Sequence, residues 1–254
     1  QIVKLLEDVE PGKYDISSLD AICYGGAPIY VDQLKQAMQT FGPIFVQLYG
    51  QGEAPITITG MSGERHRELL ANNDPRIGSA GQIRTDVEAH CVDENDNPLP
   101  PGKVGEVVAR GDVVMPGYWQ NPEATAEALR GGWLHTGDIG YFDDQGYLFL
   151  LDRAKDMVIS GGNNVYPREV EEVIILHQKV ANCVVFGIPD EYWGEAVHAV
   201  VVLKTGETMT GREVIDFCGE HMAGYKKPKA VDFVTELPVS GYGKILRREV
   251  RDAY

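Results

Sequence analysis

The chain has 254 residues, 43% hydrophobic and 24% charged, the balance of a globular protein with room for one large domain or two smaller ones. Its formal net charge of -15 argues against nucleic acid, whose phosphates call for a basic face, and against an anionic membrane surface. A local site for an anion is still compatible with that charge.

Cys23, Cys91, Cys183 and Cys218 are far apart, with no Cys-x-x-Cys pair. That predicts reduced thiols in a cytoplasmic protein rather than a zinc site or a disulfide framework. No apolar run approaches the ~18 residues of a membrane span, and no secretory leader is evident. Gln1 in first place leads us to expect that the natural N-terminus lies upstream.

In chain order, residues 1 to about 60 read as alternating helices and strands. Residues 31–40 carry apolar side chains at helical spacing, and 43–49 read as a buried strand. From about Arg84 to Arg110 two alternating stretches flank a turn cluster at 93–102, which predicts antiparallel β structure. Asn121-Pro122 predicts a capped short helix through Leu129. Residues 146–151 read as a strand ending at Asp152-Arg153, where we place a domain boundary, 1–151 and 152–254. Beyond it we expect a helix at 167–177, strands at 181–188 and 196–204, a helix at 211–222 and a strand at 230–235, a small α+β unit.

Several motifs carry more chemistry than these patterns. Tyr24-Gly25-Gly26-Ala27-Pro28 follows a strand start; paired glycines let backbone lie flat against a planar ligand, and a plain tight turn is the alternative. Gln47-Leu48-Tyr49-Gly50-Gln51-Gly52-Glu53 ends a strand, where α/β sheets place ligands. Trp133-Leu134-His135-Thr136-Gly137-Asp138 ends in an acid whose two oxygens suit a pair of hydroxyls. His135 reads as packing or support rather than a catalytic base. Asp152-Arg153-Ala154-Lys155-Asp156 runs on to Ser160-Gly161-Gly162-Asn163-Asn164, which lacks the Gly-Lys-Ser/Thr of a phosphate loop and is equally readable as a helix-capping turn. Leu237 to Arg248 holds Lys244 between glycines and a basic tail.

With Gly105-Glu106-Val107, Arg110-Gly111, Gly117-Tyr118-Trp119, Trp193-Gly194-Glu195 and Tyr225-Lys226-Lys227-Pro228 between them, these motifs stand in the order seen in the acyl-adenylate-forming enzymes. The chain resembles that superfamily, most of all acyl-CoA synthetases acting on fatty or aryl carboxylates, over their C-terminal portion. The resemblance implies an α/β piece and an antiparallel β region ending a large AMP-binding domain, then a small mobile α+β domain. It implies a ligase using ATP, Mg²⁺ and coenzyme A, forming acyl-AMP and then acyl-CoA, in fatty-acid metabolism. The N-terminal half, with its own phosphate-gripping lysine, would be missing, and the chain alone would be inactive. Loading of a carrier protein, or a non-catalytic nucleotide-binding module, remain alternatives, and a homo-oligomer is left open.

The resemblance also assigns residues. Lys244 and Glu53 would be catalytic, Glu53 holding the metal, a hard cation that favours carboxylate and phosphate oxygens. Gly25, Gly26, Ala27, Tyr49, Gly50, Asp138, Arg153 and Lys244 would bind nucleotide, with Tyr49 on the adenine and Asp138 and Arg153 on the ribose. Asp152 and Lys155 would form the hinge. Gly161, Gly162, Lys226 and Lys227 would serve coenzyme A, although the two lysines also read as a solvated run. The block around Tyr118 reads as mainly structural. Gly52 stands where the family usually has a hydroxyl residue, so that phosphate contact is absent or supplied elsewhere.

Overall fold

A computed structural model describes residues 2, 13–26, 29–241 and 245–254, so Ala27 and Lys244 lie outside the described residues. The chain divides into two compact units, Gln1–Leu150 and Leu151–Tyr254.

The first unit holds two sheets. In one, β1 (Ile22–Gly25) runs parallel to β2 (Phe45–Gln51), and β3 (Ala54–Met61) and β4 (Gln82–Ile83) continue it antiparallel. The parallel pair is joined through α1 (Val31–Phe41), whose Leu34, Ala37 and Met38 are buried at helical spacing. They meet Phe45, Met61 and Leu69, the last from α2 (Gly63–Ala71), a helix capped by the Ser62 hydroxyl. The other sheet orders β5 (Glu88–Val92), β6 (Gly105–Arg110), β7 (Leu134–Phe142) and β8 (Leu148–Arg153). Short α3 (Pro122–Ala128) precedes β7, with Asn121 accepting the Ala124 N–H as its cap. Between the sheets lies a core in which Tyr49, Ala54 and Ile58 meet Cys91, Val107, Ala109, Leu134 and Leu148.

The second unit is α+β. Its sheet centres on β12 (Gly194–Leu203), antiparallel to β11 (Val180–Asp190) and to the hairpin of β9 (Val158–Ser160) and β10 (Asn163–Val165), and parallel to β13 (Ala230–Val234). α4 (Pro167–Ile175) and α5 (Gly211–His221) cover one face through Val170, Ile174, Val214 and Cys218. α6 (Arg247–Arg251) sets Val250 into a second cluster with Val184, Phe186 and Val200.

The mixed architecture agrees with the expected fold class. Two details differ from the sequence reading. The helix expected to reach His177 stops at Ile175, because the Leu176 and His177 N–H groups bond three residues back and tighten the last turn. The Gly161-Gly162 pair is the turn of the β9–β10 hairpin, not a helix cap: both residues have positive φ, 57° and 77°, the backbone that a two-residue hairpin turn demands.

Candidate nucleotide site

The C-terminal ends of β1 and β2 lie side by side, with Gly25 opposite Leu48. A Cβ on Gly25 would stand 2.1 Å from the Leu48 carbonyl oxygen, so only glycine allows this approach. One residue further along β2, Tyr49 turns into the inter-sheet core and is 7% exposed. Its hydroxyl donates to Asp138 Oδ2 at 2.7 Å, across 89 residues of sequence. Gly50 forms a bulge, and a Cβ there would meet Ala54 O at 2.3 Å, which fixes glycine at that position too.

Asp138 is presented by a second irregularity. The β6–β7 register shifts between Glu106 and Val108, and Gly137 takes a φ of 68°. Thr136 donates its hydroxyl to Val107 O at 2.7 Å and accepts the Asp138 N–H at 3.1 Å. Glu106 holds the outside of this turn. Its Oε1 accepts the Gly137 N–H at 2.9 Å, and its Oε2 accepts His135 Nδ1–H at 2.9 Å and an Arg130 N–H at 3.1 Å. His135 is therefore tied to Glu106, with a side chain 5% exposed.

Glu53 sits in the two-residue turn between β2 and β3. Its carbonyl accepts the Met115 N–H at 2.8 Å, and its Oε1 accepts the Tyr118 hydroxyl at 2.5 Å. The carboxylate holds the Tyr118 phenol above its ordinary pKa, since a donor engaged by an anion is harder to ionise. Among the described residues no group of three or more His, Cys, Asp or Glu is placed to hold a metal. A single carboxylate fits Mg²⁺ when phosphate and water oxygens complete the shell. Beside Glu53, Gly52 has nothing within 4 Å of the position a Cβ would take.

The second unit carries the other assigned residues. Asp152 and Arg153 end β8, and Lys155 is exposed in the short turn that follows. Gly161 packs on Trp193, whose ring carbon would lie 2.8 Å from an added Cβ. Lys226 is paired with Glu169 at 2.5 Å, so its charge is engaged within the unit, and Lys227 is half-buried.

The sequence reading missed Glu106 and Tyr118 as supports of assigned acids. A lone glutamate inside the apolar strand Gly105–Arg110 was the available signal for the first; nothing local marks the second.

The AMP-binding enzyme family matches residues 1–119, and the AMP-binding enzyme C-terminal domain matches residues 169–244. A feruloyl-CoA synthase from Amycolatopsis sp is 43% identical over 237 residues, covering 93% of this chain and 47% of that protein. The medium/long-chain-fatty-acid–CoA ligase FadD8 of Mycobacterium tuberculosis is 39% identical over 97% of this chain and 43% of its own length. Among solved structures, ATP-bound MatB from Rhodopseudomonas palustris superposes with a TM-score of 0.90 at 32% identity, over 100% of this chain and 49% of that one. The chain thus spans about half the length of the curated relatives it matches. It belongs to the AMP-binding, acyl-adenylate-forming enzymes and corresponds to their C-terminal portion.

Proposed function

We propose that this chain is the C-terminal portion of an ATP-dependent acyl-CoA ligase. The observation that carries the reading is the buried Asp138 carboxylate, fixed by Tyr49 and by the Glu106-braced Thr136-Gly137 turn. It stands in a chain whose relatives are named as CoA ligases. An ionised carboxylate with a fixed rotamer suits the two hydroxyls of a ribose. Arg153 would add a second contact to the same sugar.

In the first half-reaction a carboxylate oxygen of the substrate attacks the α-phosphorus of ATP, and pyrophosphate leaves with the broken P–O bond. Lys244 would offset the charge that gathers on phosphorus and the incoming oxygen. Glu53, held through Tyr118, would contribute one oxygen to a bound Mg²⁺, whose charge would offset that of the pyrophosphate. In the second half-reaction the coenzyme A thiolate attacks the acyl carbon, and AMP leaves with its oxygen. A turn of residues 152–254 about Asp152 and Lys155 would exchange Lys244 for the Gly161-Gly162 hairpin between the two steps. Fatty and aryl carboxylates are the substrate classes in view, and a cytoplasmic setting suits the cofactors.

The test is AMP and pyrophosphate release by the complete natural polypeptide over a panel of fatty and aryl carboxylates, with and without coenzyme A. This chain is assayed beside it. Coenzyme A-dependent AMP release by the complete protein is expected, with none from residues 1–254 alone. Turnover that ignores coenzyme A and needs a carrier protein would overturn the ligase reading in favour of carrier loading.

A further inference from the structure

Arg247 opens α6, three residues after Lys244, and its side chain is only 22% exposed. Its guanidinium meets three carboxylates. Nη1 lies 2.9 Å from Asp152 Oδ1 and 3.5 Å from Asp156 Oδ2, and Nη2 lies 2.9 Å from Glu171 Oε1. Asp152 and Glu171 have side chains 6% and 9% exposed. Each also accepts a backbone N–H, Asp152 from Arg168 at 3.0 Å and Glu171 from Val185 at 2.8 Å. Val185 belongs to β11, at the end of its sheet, so the Glu171 carboxylate also satisfies a strand N–H from the helix side.

The segment just before Arg247 is closed at its base. Val239 pairs with Ile245, and the Leu246 N–H bonds Pro238 O at 2.9 Å. Leu237 and Val250 anchor both flanks in one apolar cluster. Lys244 is the residue immediately before this closure. Arg247 thus ties the described residues that follow Lys244 in the chain, from Ile245 on, to Asp152, the acid at the unit's own beginning.

A buried ion cluster is weak evidence for stability, because desolvation offsets most of the attraction and apolar replacements often do as well. Its specific product is geometry: a planar guanidinium with two nearly parallel forks accepts only one arrangement of partners. We infer that Arg247 is a positioning residue for Lys244, fixing the chain that directly follows the lysine, Ile245 to Arg247, relative to Asp152. This rests on the reading of Lys244 given above. A loop displaced by about 1 Å loses on the order of 10²-fold in a step that depends on alignment, while a step that does not use Lys244 is spared.

The test uses the complete natural polypeptide carrying Arg247→Lys, with Lys244→Gln as control. Three quantities are read: acyl-AMP formation by pyrophosphate exchange, thioester formation from preformed acyl-AMP and coenzyme A, and the melting temperature. Arg247→Lys is expected to lower kcat for adenylation by tenfold or more with KM for ATP unchanged, and to leave the thioester step within about twofold. Equal loss in both steps, or no loss, would overturn the inference and leave Arg247 a structural residue. Should Arg247→Lys fail to fold, Glu171→Gln keeps the shape and an acceptor for the Val185 N–H. The same one-sided loss there, threefold or more, supports the inference, and an even loss overturns it. If Lys244→Gln leaves adenylation intact, the role proposed for Lys244 itself falls, which is a different failure.

Discussion

Glu106 in the first unit and Glu171 in the second do the same job at different depths. Each carboxylate takes one backbone N–H, from Gly137 and Val185, and one arginine, Arg130 and Arg247. Glu106 is on a strand with a side chain 21% exposed beside an arginine 41% exposed; Glu171 is on a helix at 9%, beside an arginine at 22%. Burial pushes the Glu171 carboxyl up, and the Arg247 guanidinium opposes that shift. The same pair of contacts is thus an adjustable brace near water and a rigid one inside, since solvent screens the first and not the second.

The largest effect should come from breaking the deeper brace. Glu171→Ala leaves Arg247 short of a partner in a dry site and should destabilise the second unit by about 3–5 kcal/mol, read as a fall in the urea midpoint. Glu106→Ala should cost less, roughly 1–2 kcal/mol, because water can replace it on Arg130. Raising salt should shrink the difference between wild type and Glu106→Ala and leave the Glu171→Ala deficit unchanged. Equal salt sensitivity in the two variants would remove the distinction of depth.

A milder perturbation should treat the units alike. Burial raises the thiol pKa of Cys91, in the first unit, and of Cys218, in the second, from 9.0 to about 11. The unfolded chain loses those protons first, so stability is complete below pH 9 and falls as pH rises from about 9 to 11. Substituting either cysteine by Ala should flatten that slope for its own unit in denaturant titrations. On the acid side each unit carries a buried histidine whose pKa burial depresses below 6.5, His66 in the first and His198 in the second. Both units should therefore weaken as pH drops below about 6.5, as the unfolded chain takes up those protons first.

The sequence revealed what depends on neighbours a few residues apart. The α1 stripe of Leu34, Ala37 and Met38 and the Asn121-Pro122 cap are local patterns, and both elements form where expected. The motif order was equally legible, because it needs only spelling. The contacts that aim the assigned side chains were not. Tyr49 reaches Asp138 over 89 residues, Tyr118 reaches Glu53 over 65, and Arg247 reaches Asp152 over 95. Each pairing depends on which strands the tertiary fold sets side by side, and periodicity carries no record of that. Tyr49 is one case: no local pattern announces that its hydroxyl donates to Asp138 from inside the core.

The smallest effect tests the turn where this chain departs from its family. Gly52 has open space around the position of a Cβ, and its φ lies outside the left-handed region, so Gly52→Ser or Gly52→Thr should fold without strain. Neighbouring Glu53 is held by the Tyr118 hydroxyl on its carboxylate and by the Met115 N–H on its carbonyl. If Glu53 holds the metal as proposed, a hydroxyl next to it would add one donor for a phosphate oxygen, a gain of about 1 kcal/mol, or roughly fivefold in KM for ATP in the complete polypeptide. A gain confined to adenylation would show that the missing hydroxyl is a real vacancy at the phosphates. No change would mean that another group already fills that role, and a loss would show that Gly52 is needed for its smallness where the nucleotide passes.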